Sequence, residues 1–455
     1  MSAASGQAAE TRPGVIITPV SDPYRRYAMW LLLVVYTLNF LDRQIMNTLA
    51  EPIKHDLGLS DTAMGAMTGL LFAVFYTFLG IPIARYAERA NRSVIISASL
   101  AIWSGFTVAC GYAQNFLQLA LARIGVGVGE AGCTPSAHSL IIDYTPKEKR
   151  SSALAFYSLG TPIGALLGTI LGGLIADAYG WRMAFVLCGA PGILIALVSF
   201  FTLREPRTIL REGLAAKRKG PTLKDALGEL WGKKTFWFVA FAASIKALIG
   251  YGSAAFIVSF FLRNHAPEII ELNPGIALRP DGSIKDINPV TLPLGIIGGV
   301  AGVVGVMLGG WLSDRFGARD LRFNVAMPAI ATLLSIPFYI GGLMIPSFFG
   351  AMVLLAVPTI LNTLWYGPVY ATVQGLVRPE TRATAAAIIL FIINLVGLGL
   401  GPLGIGIISD FFRNVMGMSV GDGLRWSLIT FYIFGASAFL LFWLARRTIR
   451  EEMVS

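Results

Sequence analysis

FLQLALARIGVGVGEAGCTPSAHSLIID, residues 116–143, is an apolar run with charges set into it. Arg123 and Glu130 stand seven residues apart, two helical turns, and so share one face. Gly125, Gly127 and Gly129 lie between them. The face continues as Arg123, Gly127, Glu130, Thr134 and His138, a polar stripe on an otherwise apolar helix. An ionisable side chain inside a bilayer costs about 2.5–3.5 kcal/mol on insertion scales. Two on one stripe predict a water-filled cavity with partners across it, if the helix spans a membrane.

Composition says that it does. Of 455 residues, 55% are hydrophobic and only 14% charged, and the mean hydropathy is +0.67. The 50 glycines exceed the usual level of about 7% and allow helices to approach closely. Twelve apolar stretches reach the roughly 20 residues needed to cross a bilayer. They are 27–49, 63–84, 93–113, 116–142, 152–175, 182–203, 235–262, 291–312, 322–344, 347–374, 382–406 and 425–445. The expectation is an all-α membrane protein of two six-helix bundles, 24–203 and 235–447. A disordered tail over 1–23 precedes them and a short tail over 448–455 follows. Between the bundles runs a basic linker, 204–234, whose PTLKDALGELW portion predicts an amphipathic helix on the membrane surface. Cys110, Cys133 and Cys188 all fall in apolar spans, which gives no disulfide framework and no metal spacing. The polar first 26 residues contain no signal-peptide core.

Lysine and arginine set the orientation. With both termini cytoplasmic, 26 of the 36 fall on the cytoplasmic side and 7 on the other: Lys54, Arg182, Arg263, Arg279, Lys285, Arg413 and Arg425. Arg43, Arg123 and Lys246 remain inside spans. The basic balance is therefore topology and contact with anionic membrane lipids, and no nucleic-acid partner is expected.

The halves repeat. Glu88 and Arg89 follow span two as Asp314 and Arg315 follow span eight. Arg150 after span four matches Arg382 after span ten. Gly164, Gly168 and Asp177 match Gly397, Gly401 and Asp410 at one offset of 233. These features resemble the major facilitator superfamily, whose G-x-x-x-D-R-x-G loop signature stands intact at Gly310, Asp314, Arg315 and Gly317. The first copy departs from it at Ala84, Glu88 and Asn91. The R-x-G-x-G-x-G-E pattern of span four is similar to that family's buried-arginine motif. Asn39-Phe-Leu-Asp42-Arg43, together with Gly129-Glu130-Ala131, is similar to the Spinster branch. The resemblance implies secondary-active transport by alternating access, and for that branch export of amphiphilic lipids such as sphingolipid derivatives and lysophospholipids.

Depth along the spans brings Asp42, Arg43 and Arg123 to one level, with Glu130 nearer the midplane. A carboxylate with movable arginine partners can change protonation with conformation. Glu130, with Asp42, Arg43 and Arg123, is therefore the candidate proton-coupling group; the alternative is a static salt-bridge cluster. Lys246 in span seven can attract an anionic head group or simply hydrogen-bond between helices. Asn39, Asn362, Trp365, Tyr366, Tyr370 and Asn394 complete a candidate substrate wall, for which core packing is the competing explanation. His138 is expected as a hydrogen-bonded core residue. Glu88, Arg89, Asp314, Arg315, Arg150 and Arg382 are candidate cytoplasmic gate residues. The Gly160, Gly164, Gly168 and Gly172 ridge, with Gly397, Gly401 and Gly404, is expected where spans five and eleven rock. No phosphate loop, nucleophile elbow or metal cluster is present, so the chain is expected not to be an enzyme and to use no cofactor beyond the proton. A monomeric transporter in the bacterial inner membrane is expected. It exports an amphiphilic or organic substrate, or alternatively imports a small organic anion.

Overall fold

The computed structural model describes residues 10–12, 15–18, 20–87, 90–146, 149–209, 223–317, 319–378 and 381–454. Among them, eleven helical spans are long and apolar enough to cross a membrane. Spans two to six are Asp61–Ala87, Arg92–Gly111, Phe116–Tyr144, Ser152–Tyr179 and Trp181–Thr202. Spans seven to twelve are Lys234–Asn264, Asn288–Gly317, Phe323–Met344, Phe348–Gly375, Thr384–Asn414 and Val420–Glu452. Span one, Asp22–Thr48, is a helix of 27 residues, and Asn39, Asp42, Arg43 and Gln44 dilute its apolarity. Side-chain caps begin several of these helices. Asn91 accepts from Val94 N, Asn115 from Gln118 N and Ser347 from Gly350 N, satisfying donors that a helix start leaves open.

The chain forms two compact units. The first gathers residues within 1–45, 74–168 and 182–220; the second gathers 46–73, 169–181 and 221–455. The boundary departs from a six-plus-six division of the sequence. The start of span two and the end of span five pack with the later spans. Glycine makes this possible. A Cβ on Gly65 would meet Pro402 O at 2.3 Å, and one on Gly406 would meet Asp61 O at 2.2 Å.

In the first unit, three short antiparallel strands join the N-terminal segment to the linker. They are Glu10–Arg12, Val15–Ile17 and Arg207–Ile209, with Ile17 opposite both Glu10 and Arg207. The stretch expected as a disordered tail thus carries two strands, and helix replaces it from Asp22. Residues 1–9 lie outside the described set.

The second unit has its core along span seven. Phe236, Ala240, Ala243 and Ala247 pack with Trp365, Val369 and Val373 of span ten and with Phe442 and Ile449 of span twelve. The stretch expected as an amphipathic helix is helical over Leu223–Trp231. Its Glu229 accepts from Arg378 N at 2.9 Å and from Thr381 Oγ1 at 2.8 Å.

Spans four and ten are each broken at the same place. Helix runs Phe116–Glu130 and resumes at Cys133; it runs Phe348–Thr363 and resumes at Tyr366. Both ends of both breaks keep the 233-residue offset of the repeat. Broken helices at membrane depth bring backbone ends and polar groups to a cavity.

Candidate functional site

In the first unit, neighbouring residues of span one reach two residues of span four. Asp42 Oδ2 lies 3.3 Å from Arg123 Nη1. Arg43 Nε donates to Glu130 Oε2 at 2.8 Å, and its Nη2 lies 2.7 Å from the same oxygen. The four charges therefore form two ion pairs. Asp42, Arg123 and Glu130 are buried, at 3%, 1% and 0% exposure. Arg43 keeps 14% of its side chain exposed and lies over the Tyr76 ring at 4.5 Å. Glu130 Oε1 has no hydrogen-bond partner among the described residues, and neither has either amide atom of Asn39, one turn before Arg43.

Glycines set this geometry. A Cβ on Gly129 would meet Trp103 N at 2.6 Å, and one on Gly125 would meet the Phe106 ring at 2.4 Å. Their absence lets span three close on span four, and Thr107 of span three then donates to Asp42 Oδ1. Thr107 and Tyr76 carry no signal in the sequence beyond lying in apolar spans.

In the second unit, Lys246 is buried at 4% exposure and donates to Asn362 Oδ1. Asn362 Nδ2 donates to the Tyr432 hydroxyl at 2.5 Å. The Tyr432 ring stacks on Tyr339 at 3.7 Å, and the Tyr339 hydroxyl donates to Ser253 at 2.8 Å. Tyr432 and Tyr339 were not among the expected residues; no repeat partner or motif singles them out. The expected aromatic wall divides. Trp365 is 2% exposed within the hydrophobic core, and Tyr370 packs against that core. Tyr366 stacks on Trp365 at 4.1 Å and is 36% exposed. Asn394 opens a π-helical turn, Asn394–Leu400, in span eleven. Thr363 stands at the repeat position of Glu130, so span ten carries no acid there.

His138 is exposed rather than a hydrogen-bonded core residue, with its ring 5.3 Å from that of Tyr157. The glycine ridges are sites of close helix packing. Gly164 approaches Thr37 O and Gly168 approaches Leu41 O of span one, while Gly397 and Gly401 approach Ala247 and Leu248 of span seven. Each contact lies inside one unit.

Of the expected cytoplasmic gate residues, Glu88 and Arg89 lie outside the described set. Asp314 is exposed and makes none of the ion pairs found among the described residues. Arg315 lies over Trp311 at 5.4 Å. Arg150 Nε donates to the carbonyls of Ile142 and Thr145 at 3.1 and 3.2 Å, closing the end of span four. Arg382 is exposed.

A charged cluster unforeseen as a unit stands at the opposite ends of the spans. Arg263, within span seven, pairs with Glu51 at 2.7 Å and Asp61 at 2.9 Å. Lys54 pairs with Asp61 at 2.5 Å, and Ser409 donates to Asp61 at 2.7 Å. Asp410 accepts from Asp61 N and Thr62 N at 3.2 and 2.8 Å, at the start of span two. Asp177 does the same for span eight, accepting from Ile287 N and Asn288 N at 2.8 Å each. The offset between these two acids was legible; their shared task, holding a helix N-terminus, was not.

A family model, the Major Facilitator Superfamily, matches residues 32–402. An MFS-type efflux pump of Mycolicibacterium smegmatis is 31% identical, over 94% of this chain and 94% of its own. The crystal structure of a bacterial homolog to the human lysosomal transporter Spinster, inward-facing and unoccupied, is 32% identical with a TM-score of 0.82. It covers 96% of this chain and 100% of its own. Protein spinster homolog 1 of Xenopus tropicalis is 26% identical over 87% of this chain and 75% of its own.

Proposed function

The chain belongs to the Major Facilitator Superfamily, and we propose that within it this multi-pass transporter couples proton movement to export of an amphiphilic lipid-like or organic substrate. It is a transporter and not an enzyme. The efflux pump among its relatives supports the direction, and the Spinster homologue supports the branch whose resemblance implies the substrate class.

The observation that carries the coupling is the Arg43–Glu130 pair. A fully buried carboxylate is held through one oxygen by a cation that is itself partly exposed, while its other oxygen has no hydrogen-bond partner among the described residues. A buried carboxylate stays charged only beside its cation; deprived of it in a dry site, it is neutralised by a proton. Substrate or cavity water that draws Arg43 away thus exchanges one positive partner for another. Asp42 is held by both Arg123 and Thr107, which suits it to fixing the helices rather than to cycling. The substrate-recognition role falls to the second unit, where Lys246, Asn362 and Tyr432 present a cation beside stacked tyrosines.

The test is flux into proteoliposomes across a panel of amphiphiles and organic anions, with and without an imposed pH gradient. Gradient-driven accumulation by the wild type, lost in Glu130→Gln while substrate still exchanges without a gradient, is the expected result. Full gradient-driven accumulation by that variant overturns the assignment. A second reading, import of a small organic anion, rests on Lys246 as the clamp. A panel in which only short carboxylates are carried establishes it instead.

A further inference from the structure

At the ends of spans nine and twelve, on the side richest in lysine and arginine, the second unit holds a cavity of about 190 Å³. Arg322, Trp443, Arg446 and Arg447 line it, and none of the four is acidic. The Nε atoms of Arg322 and Arg446 are buried with no hydrogen-bond partner among the described residues. The Arg446 guanidinium lies 4.0 Å from the centre of the Trp443 ring, which fixes its plane. Arg322 also stands immediately before helix Phe323–Met344, whose dipole adds positive potential there. The nearest acid on this segment is already engaged. Asp320 accepts from Arg322 N at 2.9 Å through one oxygen and pairs with Arg450 at 3.0 Å through the other.

Three guanidinium groups around one small cavity repel one another unless an anion joins them, and the guanidinium fork matches phosphate oxygens two at a time. The same stretch of span twelve turns an apolar face outward. Leu440 is 59% exposed, Trp443 39% and Leu444 37%. In a membrane span that face meets acyl chains, and tryptophan favours the boundary between chain and head group. A ligand that fills both features has a phosphate and a hydrocarbon tail. We propose that this cavity binds the phosphate head group of an anionic phospholipid of the surrounding leaflet. The site is separate from the Lys246 and Glu130 groups and does not depend on what the protein transports.

The test uses the full chain, purified in detergent and studied by native mass spectrometry. Dioleoylphosphatidylglycerol, dioleoylphosphatidylcholine and inorganic phosphate are added in separate and competing arms. The wild type is expected to retain phosphatidylglycerol in preference to phosphatidylcholine. Arg322→Gln with Arg446→Gln lowers that retention by about twenty-fivefold, about fivefold for each arginine. Phosphatidylcholine retention stays as it was. Arg322→Lys with Arg446→Lys, which keeps the charge, restores a substantial part. If the double glutamine variant does not fold, Arg447→Gln alone, at an exposed side chain, is expected to cost about fivefold. Undiminished phosphatidylglycerol retention in these glutamine variants overturns the site. Complete displacement of the lipid by inorganic phosphate shows a free-anion site and overturns the lipid assignment.

Discussion

Arg43 and Glu130 are neighbours only because spans one and four bring them together, and there they form an ion pair. Removing one member of a buried pair leaves an uncompensated charge, at a cost of about 3–5 kcal/mol, whereas removing both is often nearly neutral. Arg43 is partly exposed, so the lower end applies. Arg43→Gln is expected to lower stability by about 3 kcal/mol, and adding Glu130→Gln to recover at least half. Thermal unfolding in detergent, followed by tryptophan fluorescence, measures both; additive losses would mean the pair is not coupled. Glu51 offers the opposite test. Burial pushes its carboxyl up, but the Arg263 guanidinium, a hydrogen bond from His55 and the charge of Lys54 outweigh this. Together they hold it well below the usual carboxylate range. A depressed carboxyl stabilises fully above its ordinary pKa of about 4.3 and loses that contribution only as pH falls through the folded value. The Glu51–Arg263 cluster is therefore expected to stay intact from about pH 5.5 to 8. Glu51→Gln is expected to destabilise the protein at both limits. A destabilisation that vanishes at pH 5.5 refutes this.

The elements were legible where periodic apolarity was strong and hidden where contacts between helices decided them. Eleven of the twelve expected spans recur as helices long and apolar enough to cross a membrane, and the expected first span is a helix as well, yet nothing in Glu130-Ala131-Gly132-Cys133 announces a break; there is no proline until Pro135. The helix stops at the buried Glu130, and the same stop recurs at Thr363-Leu364-Trp365-Tyr366 without the charge. The break thus belongs to the duplicated architecture rather than to the acid. Arg263 was placed in an outer loop because apolarity ends at Leu262, whereas the helix continues to Asn264 and turns the guanidinium onto Glu51 and Asp61. The glycine pattern of span four was visible as a motif; its purpose needed the partner helix. Gly129 faces the Trp103 backbone at 2.6 Å from where a Cβ would stand, while Gly105 on span three meets nothing within 4 Å. Gly129→Leu is expected to push span three away, cost about 1–3 kcal/mol, and separate Thr107 from Asp42, lowering transport with it. Gly105→Ala is expected to be tolerated, or to stabilise by up to about 1 kcal/mol through helix propensity. Paired thermal unfolding and flux measurements decide whether close approach or mere helix formation is the requirement.

For the whole molecule, alternating access demands that some contacts made here be broken and remade. The candidates are the two acids separated by the repeat offset, Asp177 at the start of span eight and Asp410 at the start of span two. Each carboxylate holds two backbone N–H groups at a helix N-terminus, where negative charge is favoured. Each sits beside a glycine contact: Gly173 against Thr291, and Gly406 against Asp61. Small residues bring the backbones close, and the acids then fasten them. The repeat explains why there are two such fastenings, since one gene-level unit supplies both. Replacing a helix-capping side chain by alanine costs about 1 kcal/mol, so Asp177→Ala with Asp410→Ala weakens this packing by about 2 kcal/mol. That shifts an opening equilibrium by about thirtyfold. Thr291 is fully buried in the packed arrangement, and the three native cysteines are buried as well. Thr291→Cys is therefore a clean reporter for a thiol-reactive maleimide in detergent. Its labelling rate is expected to rise at least tenfold when both acids are replaced, and by an intermediate amount for either alone. An unchanged rate in the double variant means that glycine packing alone holds these helix ends, and that the paired acids serve helix stability rather than the transport cycle.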